Sequence, residues 1–286
     1  MIEAFSERDF VDADRADTIP ETQPSHSNAP PAYLAKHYWW AYVHPRAVRL
    51  FERQWLVNAI LWGNYRRLRD AAIGALGPRL GGRTLQVACA YGDFTTTLAA
   101  RVAAHDGRLD VIDALPIQIA NLEAKLSAAT PARAHVMDAA RMAFPDARFD
   151  RAVLFFLLHE QPENVRRRTL AEALRVVKPG GAVVLVDYAL PRHWSPWRWL
   201  MRPVLALLEP FALDLWRTEI VDFAPRGSIA TPPRRFFGGL YQLVELTRPG
   251  GPAEPKANVQ RQAVFPANGA AIAGAKSVAG RLTKDN

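Results

Sequence analysis

From Thr84 to Asp187 the chain alternates short apolar runs with stretches of helical periodicity, and this rhythm narrows the possible folds more than any other feature. Thr84–Ala88, Arg108–Asp113, Ala134–Met137, Ala152–Leu158 and Ala182–Asp187 read as strands. Phe94–Ala104, Pro116–Ser127 and Pro162–Val177 read as the helices between them. Ala152–Leu158 is apolar at every position, as expected of a strand covered on both faces. Strand–helix alternation of this kind makes a mostly parallel sheet with helices on both sides. The helix ending at Val177 is followed by Lys178-Pro179-Gly180-Gly181, which reads as a stop and a turn. Beyond Asp187 the rhythm changes. Trp197–Trp216 reads as one or two helices broken at Pro203 and Pro210, and Arg234–Phe237 with Leu240–Thr247 as a hairpin around Gly238-Gly239. The sheet is therefore expected to close with an antiparallel edge.

The flanks have a different character. Residues 1–31 and 249–286 are poor in large apolar groups and are expected to be disordered. Residues 32–79 are dense in aromatic rings at three- and four-residue spacings and read as a helical lid, with residues 80–248 as the catalytic domain. A lone cysteine, Cys89, excludes an internal disulfide framework and fits a reducing compartment. The early acids, Glu3 to Asp17, do not suit a secretory leader, and no uncharged apolar run is long enough to span a bilayer. The net charge of +8 suits an anionic partner, either nucleic acid or an acidic membrane.

In open α/β sheets ligands bind beyond the carboxyl ends of the strands. Three features stand there. The turn Ala88-Cys89-Ala90-Tyr91-Gly92-Asp93 is built mostly of small residues, so a ligand can approach its backbone and the free N–H groups of the next helix. Asp113, followed by Ala114, ends the second strand, where a carboxylate can accept from two ribose hydroxyls. Asp138, beside Ala139, follows the third and can accept an exocyclic adenine amine. His159 and Glu160 end the fourth strand, with the chemistry of a general base and of a carboxylate partner or metal ligand; carboxylates such as Asp93 or Glu160 could hold a hard divalent ion. Arg166, Arg167 and Arg168 read as a solvated helix face. No HExxH, HxxxH or CxxC spacing occurs, which argues against zinc.

Leu85–Asp93, Val111–Asp113, Met137–Ala139, Phe149-Asp150 and Leu174–Gly181, in this order, resemble class I S-adenosylmethionine-dependent methyltransferases over about Leu80 to Tyr188. The resemblance implies a Rossmann-like α/β fold. It also implies cofactor contacts from the turn, from Asp113 and from Asp138 with Ala139. The turn departs from that superfamily's acid-x-Gly-x-Gly-x-Gly pattern, having Gln86, Ala88, Ala90 and Gly92 at those positions and Tyr91 before the glycine. Four further segments, His37–Leu50, the Ala88–Phe94 turn, Leu154–Pro162 and Leu208–Trp216, are together similar to the rhodoquinone-biosynthesis methyltransferase-like family, from about Tyr33 to Thr247. That likeness implies conversion of ubiquinone to rhodoquinone, a ring methoxy group being replaced by an amino group, with S-adenosylmethionine as amino donor and a Mn²⁺ requirement. It adds Tyr42 and Tyr91 to His159 and Glu160 as candidate catalytic residues, Tyr42 closing over the cofactor from the lid.

A quinone with an isoprenoid tail brings its enzyme to a bilayer. Arg192, His193, Trp194, Trp197, Arg198, Trp199, Met201 and Arg202, before Leu205, Leu207, Leu208 and Phe211, have the composition of a segment lying among anionic headgroups. The expected location is therefore cytoplasmic, peripheral to the inner membrane, with no nucleic-acid partner. Other readings are methyl transfer to a quinone or small hydroxylated aromatic, nucleic-acid methylation suggested by charge alone, and a non-catalytic cofactor-binding protein.

Overall fold

The computed structural model describes residues 31–38, 44–127, 130–209 and 211–250. Tyr42 and most of both expected tails lie outside them. Eight strands form one sheet: β1 (Arg83–Val87), β2 (Arg108–Asp113), β3 (Ala132–Val136), β4 (Phe149–Phe155), β5 (Val177–Tyr188), β6 (Ile229–Ala230), β7 (Arg234–Phe236) and β8 (Tyr241–Thr247). Their order is β3-β2-β1-β4-β5-β8-β6, with β7 also on β8. The first five are parallel, and β8 runs antiparallel between β5 and the short edge strands β6 and β7. The hairpin read around Gly238-Gly239 is therefore present, with its second strand inside the sheet.

Helices cover both faces. They are α1 (Ala32–His37), α2 (Pro45–Phe51), α3 (Gln54–Ile60), α4 (Tyr65–Ala75), α5 (Phe94–Ala103), α6 (Pro116–Glu123), α7 (Glu163–Val176), α8 (Trp197–Leu208), α9 (Asp214–Arg217) and α10 (Ile220–Phe223). Side chains alternate across a strand, and the core divides accordingly. Val153, Phe155, Val184, Val186 and Leu243 face α4 and α5, packing on Leu68, Ala72, Phe94 and Leu98. Ala152, Leu154, Val183, Leu185 and Val244 face α7, packing on Leu170, Ala173 and Leu174. Helix α4 thus belongs to the layer that covers the sheet, although its sequence lies within the segment read as a lid.

Several boundaries differ from the sequence reading. Strand β4 runs Phe149–Phe155 rather than Ala152–Leu158, because Phe149 and Arg151 already pair in the sheet while Leu158 has left it, and α6 ends at Glu123 rather than Ser127. Strand β5 begins at Val177 rather than Ala182, so Lys178–Gly181 is a bulge within the strand instead of a turn before it. The pairing register shifts there: Phe149 faces Val177, yet Arg151 faces Ala182. Gly181 permits it, because a Cβ at this position would stand 2.6 Å from the Asp150 carbonyl oxygen. A further difference is Pro203, which lies inside α8 and does not end it.

Candidate active site

The C-terminal ends of β1, β2, β4 and β5 open into one cavity of about 600 Å³, walled on its other sides by α2, α3 and α8. At one end lie Ala88, Cys89, Ala90, Asp113, Ala114, Asp138 and Ala139. Ala88 has φ of +69°, a left-handed backbone that favours glycine. The turn therefore keeps the conformation of a glycine-rich loop while carrying an alanine methyl. Asp113 is half-buried and holds the turn in place: its Oδ2 accepts from Cys89 N at 2.9 Å and its Oδ1 from Leu115 N at 2.9 Å. Burial pushes its pKa up to about 6, against the opposing pull of those two amides. Asp138 Oδ1 accepts from Ala140 N at 2.8 Å. Burial raises the pKa of the Cys89 thiol, with Asp113 adding to the effect, so it is no nucleophile.

Tyr91 also lines this cavity. Its ring stacks on Phe51 of α2 at 5.8 Å and its hydroxyl accepts from Gln118 Nε2 at 2.8 Å, so it bridges the turn and the helices over the mouth. Three other residues read as cofactor contacts do not line the cavity: Gln86, Gly92 and Asp93. Gln86 is fully buried behind the turn, where its Nε2 donates to Ala88 O and Thr95 Oγ1. Gly92 packs under Tyr65, whose hydroxyl donates to Tyr91 O. Asp93 Oδ2 accepts from Gln54 Nε2 at 2.8 Å and Arg69 Nη1 at 2.6 Å. Burial alone would raise the Asp93 pKa, but these two donors hold it below the usual carboxylate value. All three shape the turn from behind.

The opposite end of the cavity is aromatic. Phe156 ends β4 with φ of +57°, a strain on the order of 1–2 kcal/mol for a side chain of this kind, and its ring faces the cavity. It meets Tyr188 edge-on at 5.6 Å and His159 at 6.0 Å, and His159 meets Tyr188 at 5.0 Å. His159 is buried among acids. Its Nδ1 stands 3.0 Å from Asp187 Oδ1, and its Nε2 lies 3.8 Å from Glu160 Oε1 and 3.9 Å from Glu209 Oε2. Burial by itself would lower the His159 pKa, but Asp187, Glu209 and Glu160 together outweigh it and push it up to about 9. The three carboxylates therefore favour the protonated imidazole of His159, which lines the cavity.

Asp187 organises this end. Its Oδ2 also accepts from Leu158 N and its Oδ1 from Tyr188 N, both at 2.8 Å. Glu209 is half-buried, and desolvation raises its pKa while His159 and a hydrogen bond from Tyr38 pull the other way. Tyr33 reaches over the cavity from α1 and hydrogen-bonds Gln161. None of Asp187, Glu209, Tyr33 and Tyr38 was singled out from the sequence. Asp187 carried the same signal as Asp113, an acid closing an apolar strand. Glu209 lies in the Leu208–Trp216 segment on which the narrower resemblance rests.

Manganese finds no ligand set here. Among the described residues no group of three or more His, Cys, Asp or Glu side chains is placed to hold a metal ion. His159 Nδ1 is committed to Asp187, and its Nε2 is flanked by carboxylates nearly 4 Å away.

Comparison with known proteins agrees with this geometry. Residues 84–181 match a methyltransferase-domain family. The chain has the class I S-adenosylmethionine-dependent methyltransferase fold. It is similar, at 27% identity over 210 residues, to a demethylmenaquinone methyltransferase of Bacillus licheniformis, the match covering 73% of this chain and 87% of that one. It is 30% identical over 144 residues to a ubiquinone/menaquinone biosynthesis C-methyltransferase of Azotobacter vinelandii, covering 48% and 55%. Among solved structures, a chain from the complex of the Haloferax volcanii Trm112 methyltransferase activator with a methyltransferase superposes with a TM-score of 0.50 at 12% identity, covering 71% of this chain and 98% of that one. This last likeness concerns fold alone.

Proposed function

We propose that this methyltransferase-fold protein is an S-adenosylmethionine-dependent enzyme that modifies the ring of a quinone. One observation carries the reading: a single cavity has nucleoside-type acceptors, Asp113 and Asp138, at one end and an aromatic cage with a buried histidine held by Asp187 at the other. Asp113 would hold the ribose, Asp138 with Ala139 the adenine, and Ala88–Ala90 the methionine portion. When bound, the cofactor supplies the transferred group. Phe156 and Tyr188 suit the faces of a planar ring. His159, charged and oriented by Asp187, suits a quinone carbonyl, where its N–H would stabilise negative charge building on oxygen. The named activities of the menaquinone and ubiquinone relatives support a quinone substrate.

The finer reading is exchange of a ring methoxy group for an amino group, on ubiquinone. Support comes from the resemblance over Tyr33–Thr247 and from Tyr91, a bulky ring lining the cavity within the turn. Methyl transfer to the ring is the second reading, and the names of the relatives favour it. Incubation with S-adenosylmethionine and either ubiquinone or a quinone with an unsubstituted ring carbon, with and without Mn²⁺, followed by mass analysis of the quinone, separates the two. Amination replaces a methoxy of ubiquinone with a lighter amino group, whereas ring methylation, which the fully substituted ubiquinone ring cannot undergo, replaces the hydrogen of the open ring carbon with a methyl. Both quinones unchanged under every condition would overturn the quinone reading.

The cofactor end makes its own prediction. Asp113 takes up a proton as pH falls through about 6. Its neutral form cannot accept from both ribose hydroxyls while receiving two amides. Affinity for S-adenosylhomocysteine should then fall by about tenfold per pH unit below that point. Asp113→Asn should be weak at all pH values. Calorimetry giving a flat profile from pH 5 to 8 in the parent would place the ribose elsewhere.

A further inference from the structure

We infer that the exposed apolar rim of the cavity is a docking surface for an anionic lipid bilayer. The rim belongs to both the cavity and the exterior. Leu50, Ile60 and Trp62 on one side, with Val204 and Leu208 on the other, line the cavity and are also among the large apolar side chains open to solvent. Anything entering between them crosses apolar surface first.

Helix α8 makes the case strongest. It buries Met201 and Leu205 against the core, and the outer arc of such a helix is ordinarily polar. Here that arc holds Trp199, 71% exposed, and Leu207, 81% exposed, together with Leu200 and Val204. No acid occurs from Trp197 to Leu208, while Arg198 and Arg202 flank the apolar arc. Across the mouth, Arg46, Arg49 and Arg53 are exposed around Leu50. The acids beside these residues in sequence are engaged elsewhere: Glu52 Oε1 accepts from Lys125 Nζ at 2.8 Å and Asn121 Nδ2 at 2.7 Å, and Glu209 faces His159.

Apolar side chains in the middle with arginines at the edge match acyl chains below and anionic headgroups above. A second copy of the chain fits less well, because a two-fold contact would set the same arginines against each other. Not every residue read from the sequence as interfacial is part of the surface: Met201 and Leu205 are buried. The Trp197 ring is tucked inward, 4.4 Å from Phe237 and 4.7 Å from Trp62. Trp199 faces out in its place. Among the described residues no helix is long and apolar enough to cross a membrane, so contact through this surface would be peripheral.

The inference stands apart from the ring chemistry, because its test needs neither quinone nor turnover. The full chain is sedimented with vesicles of phosphatidylcholine alone and of phosphatidylcholine with phosphatidylglycerol. It should bind the anionic vesicles, and less of it the neutral ones. Trp199→Glu with Leu207→Glu should weaken binding to anionic vesicles by roughly ten-fold or more, with unchanged melting and S-adenosylhomocysteine affinity. Leu207→Ser alone, at the most exposed position, should move in the same direction if the pair proves poorly folded. Failure of the parent chain to bind anionic vesicles would overturn the inference, as would equal binding by the folded variants. A parent dimer that these variants turn into a monomer would assign the surface to a second copy.

Discussion

Asp187→Asn should leave a folded protein that is about 2–4 kcal/mol less stable and at least about 100-fold slower on its quinone. The carboxylate accepts from Leu158 N and Tyr188 N, and it holds His159 through Nδ1 at 3.0 Å. Asparagine keeps one acceptor oxygen and turns an NH₂ group toward donors that have no other use. The charge that keeps His159 protonated is also lost. The sign of the pH effect follows from His159, whose folded pKa is raised from 6.5 to about 9. Its contribution to stability is fully present below about pH 6.5 and disappears as pH rises through about 9. In Asp187→Asn that alkaline loss should flatten. Urea titrations from pH 6 to 10 on both proteins measure it. Cofactor affinity should change little, since Asp113 and Asp138 do not touch Asp187. A variant with full turnover and an unchanged alkaline slope would show that His159 does not depend on this carboxylate.

The central sheet was legible because burial on both faces leaves a continuous apolar run, as in Ala152–Phe155 of β4, and because helical stretches separate the strands. Asp113 and Asp138 were legible for a related reason: an acid closing a strand stands out from the apolar residues before it. Other features misled for identifiable physical causes. Lys178–Gly181 reads as a turn, yet the glycines serve a bulge where β5 passes close to Asp150. Gln86 and Asp93 sit at the two ends of the Ala88–Gly92 turn in sequence, but neither side chain lines the cavity. The partners of Asp93, Gln54 and Arg69, are remote in sequence and carry no shared signal. Glu209 and Tyr38 meet His159 only because α8 and α1 come together over the sheet.

Arg166 is the largest misreading, and it supports the second strong prediction. Three successive arginines suggest solvent, but successive helical positions are turned by about 100°. Arg166 is therefore in phase with Thr169, Leu170 and Ala173, which are all buried on α7. It is itself fully buried, with its guanidinium 4.6 Å over the Phe223 ring. Nε donates to Leu158 O at 2.9 Å, and Nη2 donates to Gln161 O at 2.9 Å and Phe211 O at 3.1 Å. It thus ties both ends of the turn that carries His159 and Glu160 to the segment after α8. Arg166→Met fills much of the volume but leaves three carbonyl oxygens without this donor, and should cost about 3–5 kcal/mol. Arg166→Lys keeps the charge, but a single ammonium cannot reproduce the planar fork, so it should recover only part of that loss. Chemical denaturation of both variants gives the stabilities. Turnover of the folded fraction separates positioning from stability: if Arg166 sets the turn, the lysine variant should stay slow even where it is fully folded. A loss under about 1 kcal/mol in Arg166→Met would mean that the turn holds its shape through Asp187 alone.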